Sequence, residues 1–170
     1  MKFLKFGIFL ALVAATITAC SSDSDGPEET DDAFDRGAML ANWADNIIVP
    51  AYTSFNSKVV EMEAATSSFT ATPTVENLQA LRAVWKEAYV SFQNVSMFEI
   101  GKAEEVRFRN RLNVYPTNVS LIEDFIATGN YDFALPSTID KQGFPALDYM
   151  LNGLAETDAE IVVFYTSNPN

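Results

Sequence analysis

Leu78, Leu81, Trp85, Ala88, Phe92 and Val95 step along the chain by three, four, three, four and three residues. Only a helix places residues so spaced on one stripe, and an apolar stripe of that length must be covered by other helices. The spacing predicts a helix over about residues 73–100 within an all-α, up-and-down helical bundle. Thr72-Pro73 supplies an N-cap and first-turn pair for it. Upstream, residues 35–68 carry Met39, Trp43, Ile47 and Ile48 before Pro50, and Tyr52, Phe55, Val59 and Met62 after it. That pattern predicts one long helix, bent or restarted where Pro50 lacks its N–H. There is no internal repeat, no Gly-rich phosphate loop and no alternation of strands with helices, which excludes a nucleotide-binding α/β fold.

Four residues beyond Val95 stands Glu99, so the stripe carries a carboxylate inward near the helix end. Burial there is costly unless a cation or a donor meets it; the alternative is a frayed end with Glu99 in water. After Gly101, residues 103–112 read as helix, with Glu104 and Arg107, and Glu105 and Arg109, spaced for surface ion pairs. Arg107, Arg109 and Arg111 could instead hold an anion. Pro116 makes a turn of residues 113–117, and Thr117 or Asn118 caps an amphipathic helix over 119–128 that Gly129 stops. Residues 131–141 are an irregular lead-in to the segment that starts at Gly143. Residues 162–165 suit a strand by propensity or a helix begun at Thr157-Asp158.

Gly143-Phe144-Pro145-Ala146-Leu147-Asp148 opens a short helix: Gly143 allows a sharp turn into it, Pro145 fits its first turn, and Gly153 can end it in the left-handed conformation. Phe144, Leu147 and Leu151 form its apolar stripe, and Asp148 borders that stripe. Glu99 and Asp148 are thus expected to approach one another. With oxygens such as the Tyr115 hydroxyl they would line an acidic pocket able to hold a hard cation, unless Arg107 or Arg109 folds back and makes a plain ion pair.

The chain has no His and a single Cys. That removes Ser-His-Asp and Cys-His nucleophiles and every His/Cys zinc arrangement, so no catalytic residue can be named and any metal site must be built of oxygen. Oxygen sites favour calcium, magnesium, manganese or ferric iron. The Cys also has a special place. Lys2 and Lys5 precede an apolar run too short to span a membrane, and the run ends in Ile17-Thr18-Ala19-Cys20. Residues 1–19 read as a signal peptide, and Cys20 resembles the lipid-accepting cysteine of a bacterial lipobox, which implies a membrane partner through that lipid. Residues 20–32 hold acidic residues and Gly26-Pro27 but no basic residue, and read as a flexible tether. This tether resembles the surface-export signal of Bacteroidetes-like lipoproteins, or serves as a solvated spacer. Periplasmic and cell-surface positions on the outer membrane both stay open. With 23 acidic against 11 basic residues, nucleic acid is a poor partner and cations are favoured ones.

Gly143, Pro145 and Asp148 resemble a variant of the Gly-x-His-x-x-Glu signature of imelysin-like proteins, with Pro145 in the His position and Asp148 in the Glu position. The order of the long first helix, Leu81-Arg82-Ala83-Val84-Trp85, Glu99, the Arg-rich segment, Tyr115-Pro116 and the Gly143 region also resembles that family over about residues 35–170. The resemblance implies a helical, exported protein related to metallopeptidases and to iron uptake. Family members are longer, with a second helical half packed on the first, so residues 33–170 are expected to be one domain resembling the N-terminal half and truncated at its C-terminus. The resemblance leaves three readings: a lipoprotein binding iron or another hard cation, a structural or interaction protein with a degenerate motif, and a metallopeptidase. Pro145 cannot do the work of an imidazole, which weighs against the third.

Overall fold

The computed structural model describes residues 34–168; the segments expected to be a signal peptide and an acidic tether, with Cys20 between them, lie outside the described residues. The chain divides into two units, residues 1–38 and 39–170, and of the first only residues 34–38 are described. Among the described residues all regular structure is helical: α1 (Arg36–Trp43), a π-helical turn (Ala44–Ile48), α2 (Val49–Ala71), α3 (Val75–Gln93), α4 (Lys102–Glu105), α5 (Phe108–Leu112), α6 (Val119–Thr128), a 3-10 turn (Pro136–Lys141), α7 (Gly143–Asp148), a second π turn (Tyr149–Gly153) and α8 (Asp158–Ser167). None of these helices is long and apolar enough to cross a membrane.

The backbone stays helical into Pro50. Val49 N–H donates to the Ala44 carbonyl, five residues back, so a π turn stands just before the proline. A widened turn absorbs the bond and the space that a proline ring denies an α-helix, and the expected bend takes that form. The apolar spacing of Met39, Trp43 and Ile47, by contrast, is not a buried face: α1 and the π turn bury no residue, and Trp43 and Ile47 are each 48% exposed.

α2 and α3 form a helical hairpin across residues 72–74. The cap of α3 is Thr74, whose side chain accepts from Asn77 N–H; Thr72, expected there, instead ends α2. Every residue of the α3 stripe faces inward; Trp85 is half-buried, and Leu78, Ala88, Phe92 and Val95 are fully buried. The stripe feeds two clusters. Phe55, Ala88, Phe92, Val95 and Phe144 make one, and Phe69, Leu78, Leu81, Leu151 and Ile161 the other, with Met62 and Trp85 packed against both.

Several local expectations are corrected. α3 stops at Gln93, and residues 94–97 turn away, so the stripe does not continue as helix to Glu99. The expected helix over 103–112 breaks at Arg107, which is left-handed at φ 53°. That break destroys the three- and four-residue side-chain neighbours on which the pairs Glu104–Arg107 and Glu105–Arg109 depended. The pairs formed are Lys102–Glu105 at 2.6 Å and Arg109–Glu99 at 3.3 Å. Gly153 is not left-handed; a Cβ there would lie 2.5 Å from the Tyr149 ring, so its use is to leave room for that ring. Residues 162–165 are helical within α8, held at its start by a capping box between Thr157 and Glu160.

Candidate functional site

Gly143 sets the position of the motif helix. Its φ is +78°, and a Cβ built on it would meet Arg111 O at 2.8 Å and the Leu112 carbonyl carbon at 2.6 Å. Backbone of α5 therefore rests directly on backbone at the start of α7, an approach open only to glycine. Pro145 occupies the first turn as expected, and Phe144 is driven into the first core cluster against Phe92 and Tyr89, with ring centroids at 5.5 and 5.1 Å. After Asp148 the helix widens into the π turn, which carries Leu151 into the second cluster and leaves Leu147 half-buried.

Two adjoining grooves meet over this helix. One, of about 270 Å³, is lined by Trp85, Tyr89, Asn113, Tyr115, Phe144, Pro145 and Asp148. The other, of about 400 Å³, adds Thr117, Val119, Tyr149 and Asn152 to Tyr115, Pro145 and Asp148. Tyr115 follows the turn into a cis bond with Pro116 and is 86% exposed. Asp148 is exposed and accepts from Asn152 Nδ2 at 2.9 Å. Tyr89 Oη donates to Asn113 Oδ1 at 3.4 Å across the narrower groove. The Trp85 indole N–H is buried without a hydrogen-bond acceptor among the described residues, an arrangement that costs about 1–3 kcal/mol.

The structure brings Pro145, Asp148 and Tyr115 together along the two grooves; Gly143 lines neither and acts by setting where α7 starts. Glu99 lines neither groove. It is held by Arg109, and its charge adds to burial in raising the Tyr52 phenol, which donates to Phe98 O at 3.0 Å. Among the described residues no three His, Cys, Asp or Glu side chains are grouped closely enough to hold a metal ion. The grooves thus offer one carboxylate, that of Asp148, and three phenols, of which Tyr89 and Tyr149 already donate to Asn113 and Glu123 while Tyr115 is the exposed one. That donor set cannot enclose a bare cation, but it fits one that keeps most of its own oxygen ligands.

Arg82 and Lys141, which sequence reasoning left without a role, and Arg111, for which it offered an anion, fix the site's surroundings. Arg82 donates through Nε and Nη2 to the Leu151 carbonyl at 2.9 and 2.6 Å and through Nη1 to Asp158 at 2.6 Å, tying the π turn and the start of α8 to α3. Asp158 is lowered below the usual carboxylate range by hydrogen bonds from Gln79 and then Arg82. Arg111 spends its guanidinium on the carbonyls of Val106, Phe133 and Ala134, so it holds backbone where an anion was an alternative. The buried Lys141 ammonium donates to Ser137 O and to Asp140 at 2.8 Å. A charged residue flanking an apolar stripe, as Arg82 flanks Leu78 and Leu81, is the one advance signal among them.

Comparison with known proteins bears on the family of the chain. The chain is similar to iron-regulated protein A of Synechococcus elongatus, 24% identical over 110 residues that cover 65% of this chain and 29% of that protein. It therefore spans less than a third of the length of this curated relative. No solved structure matches it. The imelysin sequence model matches residues 48–161, from the π turn before α2 into α8 and across every residue that lines the two grooves. With that match extending over most of its length, the chain belongs to the imelysin family.

Proposed function

We propose that this protein is an exported lipoprotein, anchored to the outer membrane through lipid on Cys20, that takes part in iron-related physiology by binding and not by catalysis. The observation that carries the reading is the groove at Tyr115, Pro145 and Asp148. There the motif's imidazole is replaced by a ring with no proton to give or take, and the sequence holds no His elsewhere to replace it. What stays is an exposed carboxylate beside an exposed phenol on a strongly acidic chain. Such a surface attracts cations and offers them hard oxygen, and the proposed cargo is a hard cation that arrives with part of its own oxygen shell. The name of the Synechococcus relative ties that protein's regulation to iron, which favours iron as the cargo here.

Melting curves test the reading. Ferric citrate, manganese and calcium are added separately to wild type, Asp148→Asn and Glu99→Gln. A cation at a hundredfold excess over its dissociation constant stabilises by about 2.7 kcal/mol. Wild type and Glu99→Gln should respond alike, because Glu99 is already matched by Arg109, and Asp148→Asn should lose the response. Absence of any cation effect on wild type would reject the cation and favour the interaction-protein reading. Anchoring is tested apart from this: Cys20→Ala should lose incorporated fatty acid and leave the membrane fraction.

A further inference from the structure

A cavity of about 370 Å³ opens between α6, the 3-10 turn and α7, and it shares no lining residue with the two grooves. Ile122, Ile126, Ala146, Leu147 and Met150 give it an apolar interior. Three aromatic rings complete the wall: Phe125, Tyr131 and Phe133 lie with centroids 5.0–6.3 Å apart. Tyr131 and Phe133 are 57% and 42% exposed, an unusual position for rings that have each other and a hollow as their main neighbours.

The segment that carries these rings is irregular yet held. Arg111 donates to Phe133 O at 2.9 Å and to Ala134 O at 3.2 Å, and Gln142 Nε2 donates to Phe133 O at 3.4 Å. The wall is therefore preformed, which spares a ligand the cost of ordering it. Gln142 also lines the cavity. Its Nε2 donates to the carbonyls of Phe133 and Thr138, which fixes the amide's orientation and leaves its oxygen to accept. Lys141 lines the cavity too, but its ammonium is matched by Asp140, so it brings no uncompensated charge.

We infer that this cavity is a binding site for a small uncharged aromatic molecule bearing a hydroxyl group, of the phenol class. The ring lies among Phe125, Tyr131 and Phe133, and the hydroxyl donates to the Gln142 carboxamide oxygen. A cavity of this volume suits a ligand of one or two rings, and an apolar interior with few fixed polar groups is the usual build of a small-molecule site. A charged ligand is disfavoured because the wall offers no free charge to meet it.

The experiment uses p-cresol and toluene, which differ by the hydroxyl, in titrations of the full chain followed by amide NMR. The p-cresol should shift the signals of Ile126, Ala146 and Leu147 saturably and bind ~5-fold more tightly than toluene, the worth of one neutral hydrogen bond. Gln142→Leu should erase that ratio whatever it does to either affinity alone. Phe133→Ala, on an exposed ring, should weaken both ligands while preserving the ratio. The inference fails if neither compound shifts those signals, if the preference for p-cresol survives in Gln142→Leu, or if the shifts gather at Trp85 and Tyr115 instead.

Discussion

Replacing Gly143 by alanine tests whether the motif helix is placed by contact of backbone on backbone. Two costs combine. A side chain at φ +78° carries the left-handed penalty of ~1–2 kcal/mol, and a Cβ at 2.6–2.8 Å from the backbone of Arg111 and Leu112 forces α5 and α7 apart at an overpacking cost of ~1–3 kcal/mol. A central value of about 3 kcal/mol is a large part of a domain's stability and lowers the melting temperature by about 10 °C in a chain of this size. Gly101→Ala supplies the comparison. Gly101 has φ +57° with ψ −123° and nothing within 4 Å of a built Cβ, so it carries a conformational penalty alone, ~1–3 kcal/mol with a central value of about 2 kcal/mol or about 6 °C. Thermal and urea unfolding of the two variants, followed by far-ultraviolet circular dichroism, measures the difference. Should Gly143→Ala melt no lower than Gly101→Ala, the collision does not exist and the account of how α7 is positioned is refuted.

Arg82→Met should destabilise by about 2 kcal/mol, because the Leu151 carbonyl loses both of its guanidinium donors; urea midpoints check this, and Arg82→Lys should recover only part of the loss. Asp140 is held below its usual value of 3.8, chiefly by its hydrogen bond from Lys141. The stability this adds is present above that value and lost as pH falls through the lower folded one, so Lys141→Met should flatten the acid limb of a stability profile below about pH 4. Tyr165, half-buried with its hydroxyl donated to Met150 O, is pushed up to about 12 by burial. Its contribution is complete below the unfolded value of 10.0 and lost as pH rises through about 12, and absorbance titration of Tyr165→Phe should show one late-ionising phenol fewer than wild type.

The residues that could be read in advance are those whose role depends on local periodicity. Steps of three and four leave the α3 stripe only one side of a helix to occupy, and Thr157 three residues before Glu160 is a helix start whatever surrounds it. Gly143 and Pro145 were legible for the same reason. Glu99 was legible only as one of two outcomes, the pair with Arg109 being the alternative to an acidic pocket, because the choice depends on where α3 ends and on a left-handed turn at Arg107 that has neither glycine nor asparagine to announce it. Gly153 shows a different limit: a glycine that yields space to Tyr149 looks, as a letter, like one that ends a helix. The two π turns were also out of reach. Each adds a residue to a turn and redirects the chain beyond it, and no side chain advertises the addition except, in one case, the proline behind it.

Trp85 forms a wall of the narrower groove and also packs against both core clusters. One rigid indole is therefore common property of the surface and of the two interiors, and the clusters have no plane along which to melt separately. Loosening either one should free the other, and the expected outcome is a single cooperative unfolding step, which coincident melts by circular dichroism and tryptophan emission would check. A molecule gripping the groove accordingly raises the unfolding temperature of helices it never meets. The indole also reports the event: Trp43 is already half in water, so the change in emission on unfolding comes chiefly from Trp85.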